Sequence, residues 1–333
     1  MPIEARPRVL ITGAGGPAAV SFIRAVEAED LEIFAVDIDP NAAGLYLIDH
    51  AHRALVPRGD ADDFTDVILA MCAERSIDVL VPTVDSEMLP LIRCSAAFES
   101  AGTTILSPSE STLSMCLDKW TVIQACRAAV ALPRTTLLDS ALEPDDWEWP
   151  TIVKPRHGSG ARGVAVLDRP ADLGSLVRDG SMILQELLPG VEHSIDVLAY
   201  RDGRVAAAVP RTRLKVDSGI AVAGCTEPSA ALETYARSVA AAIGLTSVAN
   251  VQVKQDRDGQ PRLLEVNPRF PGSMPLTVAA GVNMPLLALA DALGRDVPFA
   301  VPFRALAMVR TWQETFMDVN DFSVDRFAPK SEG

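Results

Sequence analysis

Residues 263–270 read Leu263-Leu264-Glu265-Val266-Asn267-Pro268-Arg269-Phe270, which sets three strongly polar side chains into what otherwise reads as a buried strand. Side chains alternate along a strand, so Glu265, Asn267 and Arg269 share one face while Leu264 and Val266 share the other. A carboxylate and an amide oxygen two residues apart suit a hard cation, which takes oxygen ligands and commonly shares them with phosphates. The arginine beside them suits phosphate or a developing negative charge. The alternative is a hairpin with a polar solvent face, which Glu-x-Asn-Pro-Arg among apolar residues fits poorly.

The strand before it, Val251-Gln252-Val253-Lys254, runs into Asp256-Arg257-Asp258-Gly259, and an Asp-Gly pair between alternating runs signals a hairpin. With Asp258-Gly259 as a two-residue loop, Gln252 lies directly opposite Glu265. A bulge would shift the register by one and break that coincidence.

The chain has 333 residues, enough for two or three packed domains. Hydrophobic residues make up 48% and charged residues 22%, an ordinary globular balance. A net charge of −14 argues against nucleic acid as a partner, because phosphate backbones need basic patches. It leaves room for a nucleotide, which a few local cations and backbone N–H groups can hold. The five cysteines show no Cys-x-x-Cys spacing and read as reduced residues of a cytoplasmic protein. No apolar run is long enough for a membrane span, and no secretory leader is evident.

The opening is a βαβ unit, with a strand over 8–12, the glycine turn Gly13-Ala14-Gly15-Gly16, a helix over 20–28 and a strand over 32–36 ending at Asp37. Gly13-x-Gly15-x-x-Ala18 fits the dinucleotide fingerprint, and Asp37 stands near the position that contacts ribose. An NAD-dependent oxidoreductase is therefore one reading. A helix over 64–75 leads to a strand over 78–82, whose carboxyl end carries Thr83, Asp85 and Glu87. Ligands of open sheets lie beyond such strand ends, so Gly15, Asp85 and Glu87 are candidate substrate contacts. Asp85 and Glu87 also suit the first turn of a helix. Ser107-Pro108-Ser109 marks a domain boundary.

Beyond it the spacing predicts one helix over 113–129, with Lys119 in its middle. An apolar strand closes on Lys154, followed by His157-Gly158-Ser159-Gly160-Ala161-Arg162-Gly163. Such a glycine loop can lay N–H groups over phosphates, although it lacks the P-loop Lys-Ser/Thr. A strand ending Gln185-Glu186 enters the apolar hinge Leu187-Leu188, whose backbone could meet an adenine edge. The next strand sets Glu192, Ser194 and Asp196 on one face. Arg211, Arg213 and Lys215 alternate after a hairpin, either facing a ligand or protecting a sheet edge.

Lys119, Lys154 with its glycine loop, Gln185-Glu186, Glu192, Gln252 and Glu265-x-Asn267-Pro268-Arg269 together resemble, in order and spacing, the ATP-grasp superfamily. The likeness is to its carbamoyl-phosphate-synthase-like and pyrrolysine-biosynthesis-like carboxylate–amine ligases. That resemblance implies α/β and α+β architecture, a Rossmann-like pre-ATP-grasp domain (1–107) and a two-lobed ATP-grasp fold. The lobes are a small one with the glycine loop (108–185) and a C-terminal one with the metal site (186–333). It implies that Lys119, Lys154, Gly158, Ser159, Gly160 and Gly163 hold ATP phosphates, that Gln185, Glu186 and Leu188 frame adenine, and that Glu192 binds ribose. Gln252, Glu265 and Asn267 become ligands of Mg²⁺, two ions with Glu265 between them, for which Mn²⁺ can substitute. Arg269, with Arg211, stabilises the transferring phosphoryl group, and Arg213 or Lys215 competes with Arg211 for that second place. The implied reaction activates a small-molecule carboxylate, an amino acid among the candidates, as an acyl phosphate that an amine attacks. A catalytically silent ATP- or amino-acid-binding protein is a third reading, and a homodimer is the common oligomeric expectation.

Overall fold

The structure, a computed structural model, describes residues 6–158, 160, 162–217 and 219–329. It opens with β1 (Arg8–Thr12), α1 (Pro17–Val26), β2 (Glu32–Asp37), β3 (Arg53–Leu55), α2 (Phe64–Arg75), β4 (Val79–Val81), α3 (Asp85–Arg93), α4 (Ser95–Ser100) and β5 (Thr104–Ile105). These five strands form a parallel sheet in the order β3-β2-β1-β4-β5. Val9, Leu10 and Ile11 are fully buried, as expected when helices cover both faces of a parallel sheet. Val9 and Ile11 pack with Phe22 and Ile23 of α1, whereas Leu10 packs with Phe64 and Ile68 of α2.

The expected helix over 113–129 is instead two, α5 (Glu110–Cys116) and α6 (Lys119–Cys126). Asp118 causes the break. Its carboxylate accepts from the Trp120 N–H at 3.0 Å and the Thr121 hydroxyl at 2.9 Å, so it caps a new helix and does not continue the old one. Lys119 therefore stands at a helix start, not mid-helix.

Next come β6 (Thr135–Leu137), β7 (Thr151–Pro155), β8 (Ala165–Leu167) and β9 (Met182–Glu186), an antiparallel sheet in the order β6-β9-β7-β8. Then follow β10 (Glu192–Ala199), β11 (Val205–Thr212), β12 (Lys215–Asp217), β13 (Ile220–Cys225), α7 (Ala230–Ala242), β14 (Val248–Gln255), β15 (Pro261–Asn267), α8 (Met274–Ala279), α9 (Met284–Ala292) and β16 (Ala307–Val309). They supply a four-stranded antiparallel sheet, β11-β10-β14-β15, and a three-stranded one, β12-β13-β16. Leu232, Tyr235, Ala236 and Val239 of α7 cover the first of these, against Val197, Val251 and Leu263.

The β14–β15 hairpin does place Gln252 opposite Glu265, but by a different route. Asp256 draws the N–H groups of Asp258 and Gln260 onto its carboxylate, each at 2.9 Å, so the connection spans residues 256–260 and not Asp258-Gly259 alone. The register at Gln255↔Pro261 is then one off, and a bulge at Leu264 restores it before Gln252↔Glu265 and Asn250↔Asn267. Beyond β16 the chain crosses to the first sheet, where Leu55 pairs with Arg326.

Candidate active site

Two cavities meet along the polar face of β14 and β15. The larger, about 510 Å³, lies between the β6-β9-β7-β8 sheet and that face and is lined by Lys119, Lys154, Gly158, Gly160, Gln185, Glu186, Leu188, Glu192, Gln252 and Glu265. The smaller, about 280 Å³, is lined by Arg162, Arg211, Arg213, Arg269, Ser194, Asn250, Asn267 and Ser273. Gly160, Arg162, Arg213, Gly219, Gln252 and Glu265 border both, whereas Arg211 and Arg269 line the smaller alone.

In the larger cavity the helix break at Asp118 aims Lys119 inward. Partial burial opposes ionisation of Asp118, but hydrogen bonds from Arg156, Thr121 and the Trp120 N–H hold its carboxyl down at about 2. Lys119 Nζ donates to the Gly158 carbonyl at 2.6 Å and stands 3.5 Å from Glu265 Oε2. Lys154 Nζ donates to the Leu264 carbonyl at 3.0 Å, the bulged residue of β15. A bulge takes a residue out of the ladder, and here its carbonyl positions an ammonium. Burial pushes the Lys154 pKa down to about 8, with Glu265 and Glu192 acting against that shift and Lys119 adding to it. Gly158, Gly160 and Gly163 all have positive φ, at 107°, 72° and 73°, so the loop takes a path that other residues follow only under strain. Ser159 lies outside the described residues. Glu192 is held in an ion pair by Arg213, which also donates to the Gly219 carbonyl at 2.9 Å.

The metal reading rests on Gln252, Glu265 and Asn267. Asn267 Nδ2 lies 3.4 Å from Glu265 Oε1, and Gln252 Nε2 lies 3.4 Å from Asn250 Oδ1, which leaves both amide oxygens without a described partner beside one carboxylate. These all-oxygen donors fit a hard cation that is completed by phosphate oxygens. They do not form a self-sufficient cage, since among the described residues no three His, Cys, Asp or Glu converge.

In the smaller cavity Arg211 is not a surface cation. It is 2% exposed and forms a two-pronged pair with Asp196, at 2.8 and 2.6 Å. Asp196 also accepts from Asn250 Nδ2 at 2.8 Å and Thr277 Oγ1 at 2.5 Å. The guanidinium is thereby locked, with Nη1 unpaired among the described residues. Lys215 sits exposed on β12, so the alternation Arg211-Arg213-Lys215 does not share one environment. Asn250 does not stand out in the sequence, and Ser194 is placed there only on a strand face shared with Glu192 and Asp196. Both occupy strand positions whose polarity marks the cavity face only once the register is known.

Arg269 lies beyond the end of β15 and donates Nε to Asp85 Oδ1 at 2.6 Å. Asp85 and Glu87 occupy the first turn of α3. Glu87 is buried, accepts from Thr12 Oγ1 at 2.5 Å, and lines neither cavity. Gly15 donates its N–H to Asp37 Oδ2 at 2.7 Å, and Gly44 packs on the same turn through a 3.1 Å bond to the Ala14 carbonyl. A Cβ on Gly44 would lie 2.2 Å from that carbonyl oxygen. Gly44 thus covers only the Ala14 side of the turn, Gly15 itself stays exposed, and the acidic residue of the dinucleotide fingerprint is engaged by the turn itself.

A family model described as "ATP-grasp in the biosynthetic pathway with Ter operon" matches residues 178–315, and one described as "PylC-like, N-terminal domain" matches residues 9–106. The carbamoyl phosphate synthase arginine-specific large chain of Bacillus subtilis is 24% identical over 249 residues, covering 69% of this chain and 24% of that one. The chain thus spans about a quarter of that relative's length. A biotin carboxylase of Campylobacter jejuni, solved as a β,γ-ATP complex, superimposes with a TM-score of 0.74 at 16% identity, over 90% of this chain and 74% of that one. An L-amino acid ligase of Bacillus licheniformis gives 0.67 at 18% identity, over 88% and 76%. At such identities the solved structures share the fold alone. By the two family models, residues 178–315 belong to the ATP-grasp superfamily and residues 9–106 form a PylC-like N-terminal domain.

Proposed function

We propose that the chain is an ATP- and Mg²⁺-dependent ligase that activates a small-molecule carboxylate, an amino acid among the candidates, for attack by an amine. The observation that carries this reading is the junction of the two cavities at Glu265 and Gln252, one lysine-lined under a glycine loop and the other arginine-lined. Lys119 and Lys154 suit the phosphates of ATP in the larger cavity, with Gln185, Glu186 and Leu188 around adenine and Glu192 at the ribose. Arg211 and Arg269 suit the acid in the smaller one. A carboxylate oxygen takes the γ-phosphoryl group and ADP leaves, after which the amine nitrogen bonds to the carbonyl carbon, phosphate leaves with the C–O electron pair, and the proton the nitrogen sheds goes to the departing phosphate.

The residues have positioning and electrostatics to supply, and no side-chain nucleophile is needed. Arg211, locked by Asp196, offers a fixed cation where charge builds up. Magnesium bound at Gln252, Glu265 and Asn267 would neutralise phosphate charge. We take two ions, replaceable by Mn²⁺. The glycine loop closes over the site and keeps water from the acyl phosphate. The domain limits at residues 107 and 185, and a cytoplasmic setting in which the cysteines stay reduced, belong to the same proposal. No described helix is long and apolar enough to cross a membrane.

ADP and phosphate release over a panel of acids and amines tests this reading, and silence from every pair counts against it. Glu265→Ala abolishes turnover if the metal assignment holds. Binding of ATP–Mg²⁺ without any product favours the silent binding protein. Thermal stabilisation by NAD and not by ATP–Mg²⁺ favours the oxidoreductase, although Asp37, its candidate ribose contact, is already bonded to the Gly15 N–H.

A further inference from the structure

β16 is an edge strand, paired with β13 alone. From Thr311 to Met317 no backbone N–H or C=O is bonded to any described residue, although the chain is held again where Leu55 pairs with Arg326. Val309, Trp312 and Phe316 on this stretch are 78%, 96% and 90% exposed. Unpaired backbone beside bare aromatic side chains is a template for another strand.

We propose that residues 308–316 are the surface through which two copies of this chain pair, as antiparallel strands related by a two-fold axis at Trp312. Thr226 N–H bonds to the Leu306 carbonyl at 2.8 Å and Arg310 N–H to the Val222 carbonyl at 2.7 Å, so the even-numbered residues direct their backbone at β13. Ala307, Val309 and Thr311 therefore direct theirs at the open edge. Antiparallel pairing centred on Trp312 uses that edge, with 309 and 311 of one copy bonded to 315 and 313 of the other. The even residues then occupy the non-hydrogen-bonded positions, where facing side chains come closest. Trp312 meets Trp312, Arg310 meets Glu314, and Met308 meets Phe316.

Other registers lose this match. Centring on 310 or 314 opposes two arginines or two glutamates, and centring on 311 or 313 faces each charge with Met, Phe or Trp. The whole chain carries −14, which makes most of its surface self-repelling, yet 308–316 holds one Arg and one Glu and is locally neutral. Arg310 also donates Nη2 to the Gly272 carbonyl at 2.8 Å and keeps further donors for Glu314. Gly272 lines the smaller cavity, so the pairing braces one wall of it.

Light scattering on the eluting full chain at micromolar concentration tests the proposal. The wild type is expected at twice the chain mass. Trp312→Ser and Glu314→Arg are each expected at the single mass, folded and with no more than the small fall in melting temperature that loss of a partner brings, and Arg310→Glu combined with Glu314→Arg is expected to restore the dimer. A monomeric wild type, including one that captures a different protein on this stretch, overturns the proposal. A dimer that persists in both single variants overturns it equally.

Discussion

Arg269 Nε donates to Asp85 Oδ1 at 2.6 Å, so a cation just beyond the end of β15 is oriented by the first turn of a helix 184 residues away. Phe22 of α1 and Phe270, the residue after Arg269, have ring centroids 5.0 Å apart and meet edge to face. Both ionic partners are about a quarter exposed, so the pair adds no more than ~1 kcal/mol to stability. Its value lies in aiming Arg269. Asp85→Asn is expected to lower kcat/KM for the acid by roughly tenfold, through misplacement of one guanidinium. Nucleotide affinity stays the same. Steady-state kinetics set beside a nucleotide titration checks this, and unaltered kinetics would remove Asp85 from the site.

With Lys154 at the nucleotide phosphates, as proposed, nucleotide binding is expected to depend on pH. Burial lowers its pKa to about 8, so in the unliganded protein its charge is lost as pH rises through that value. ADP affinity is expected to weaken above about pH 8, and Lys154→Gln to bind weakly with little pH dependence, as calorimetric titration would show. The linkage to folding has its own sign. Between about 8 and the ordinary 10.5 the unfolded chain holds the extra proton, so this group's contribution to stability rises with pH across that window.

The Arg211–Asp196 pair is expected to dominate the local stability. Asp196 is fully buried, and its removal leaves a buried guanidinium uncompensated. Asp196→Ala should cost about 3–5 kcal/mol in denaturant unfolding. A loss below about 1 kcal/mol would mean that Arg211 escapes to solvent, and the fixed-cation role would fall with it.

Glu87 gives the opposite pH signature to an ordinary acid. Burial raises its pKa to about 7, opposed by the Thr12 hydrogen bond. The folded state therefore binds the proton more tightly than the unfolded one. This contribution to stability is complete below about 4.5 and lost as pH rises through about 7. Glu87→Gln should flatten the fall in melting temperature between pH 5 and 8, and an unchanged profile would count against the burial argument.

Periodicity sufficed for β1, β2 and β4 of the parallel sheet, whose apolar runs need no distant partner to be recognised, whereas the short edge strand β3 has no such run and escaped. The lysines, glycine loop and Glu265-x-Asn267 face could be singled out because charged and amide side chains on apolar strands are costly to bury without a partner. What escaped depended on contacts across long stretches. Arg211 could be read as an edge-strand cation, because its partner Asp196 lies on another strand and Thr277 on a helix beyond both. Asp118 could sit inside one long helix until its side chain was seen capping Trp120. Asp85 could be a plain helix-start residue or a substrate contact, and its pairing with Arg269 is visible only in three dimensions. The stretch from 311 to 317 has too few signals of its own to be placed at all.

The bulge at Leu264 divides the hairpin into two parts with unequal freedom to drift. Between the bulge and the 256–260 connection, the strands can gain or lose a matched pair of residues, and the solvent loop absorbs the change. Downstream of it, a single deletion turns Glu265 and Asn267 into the core and brings Val266 to the cavity. Related chains should therefore vary in length on the loop side of Leu264 and keep a fixed count from there to Arg269.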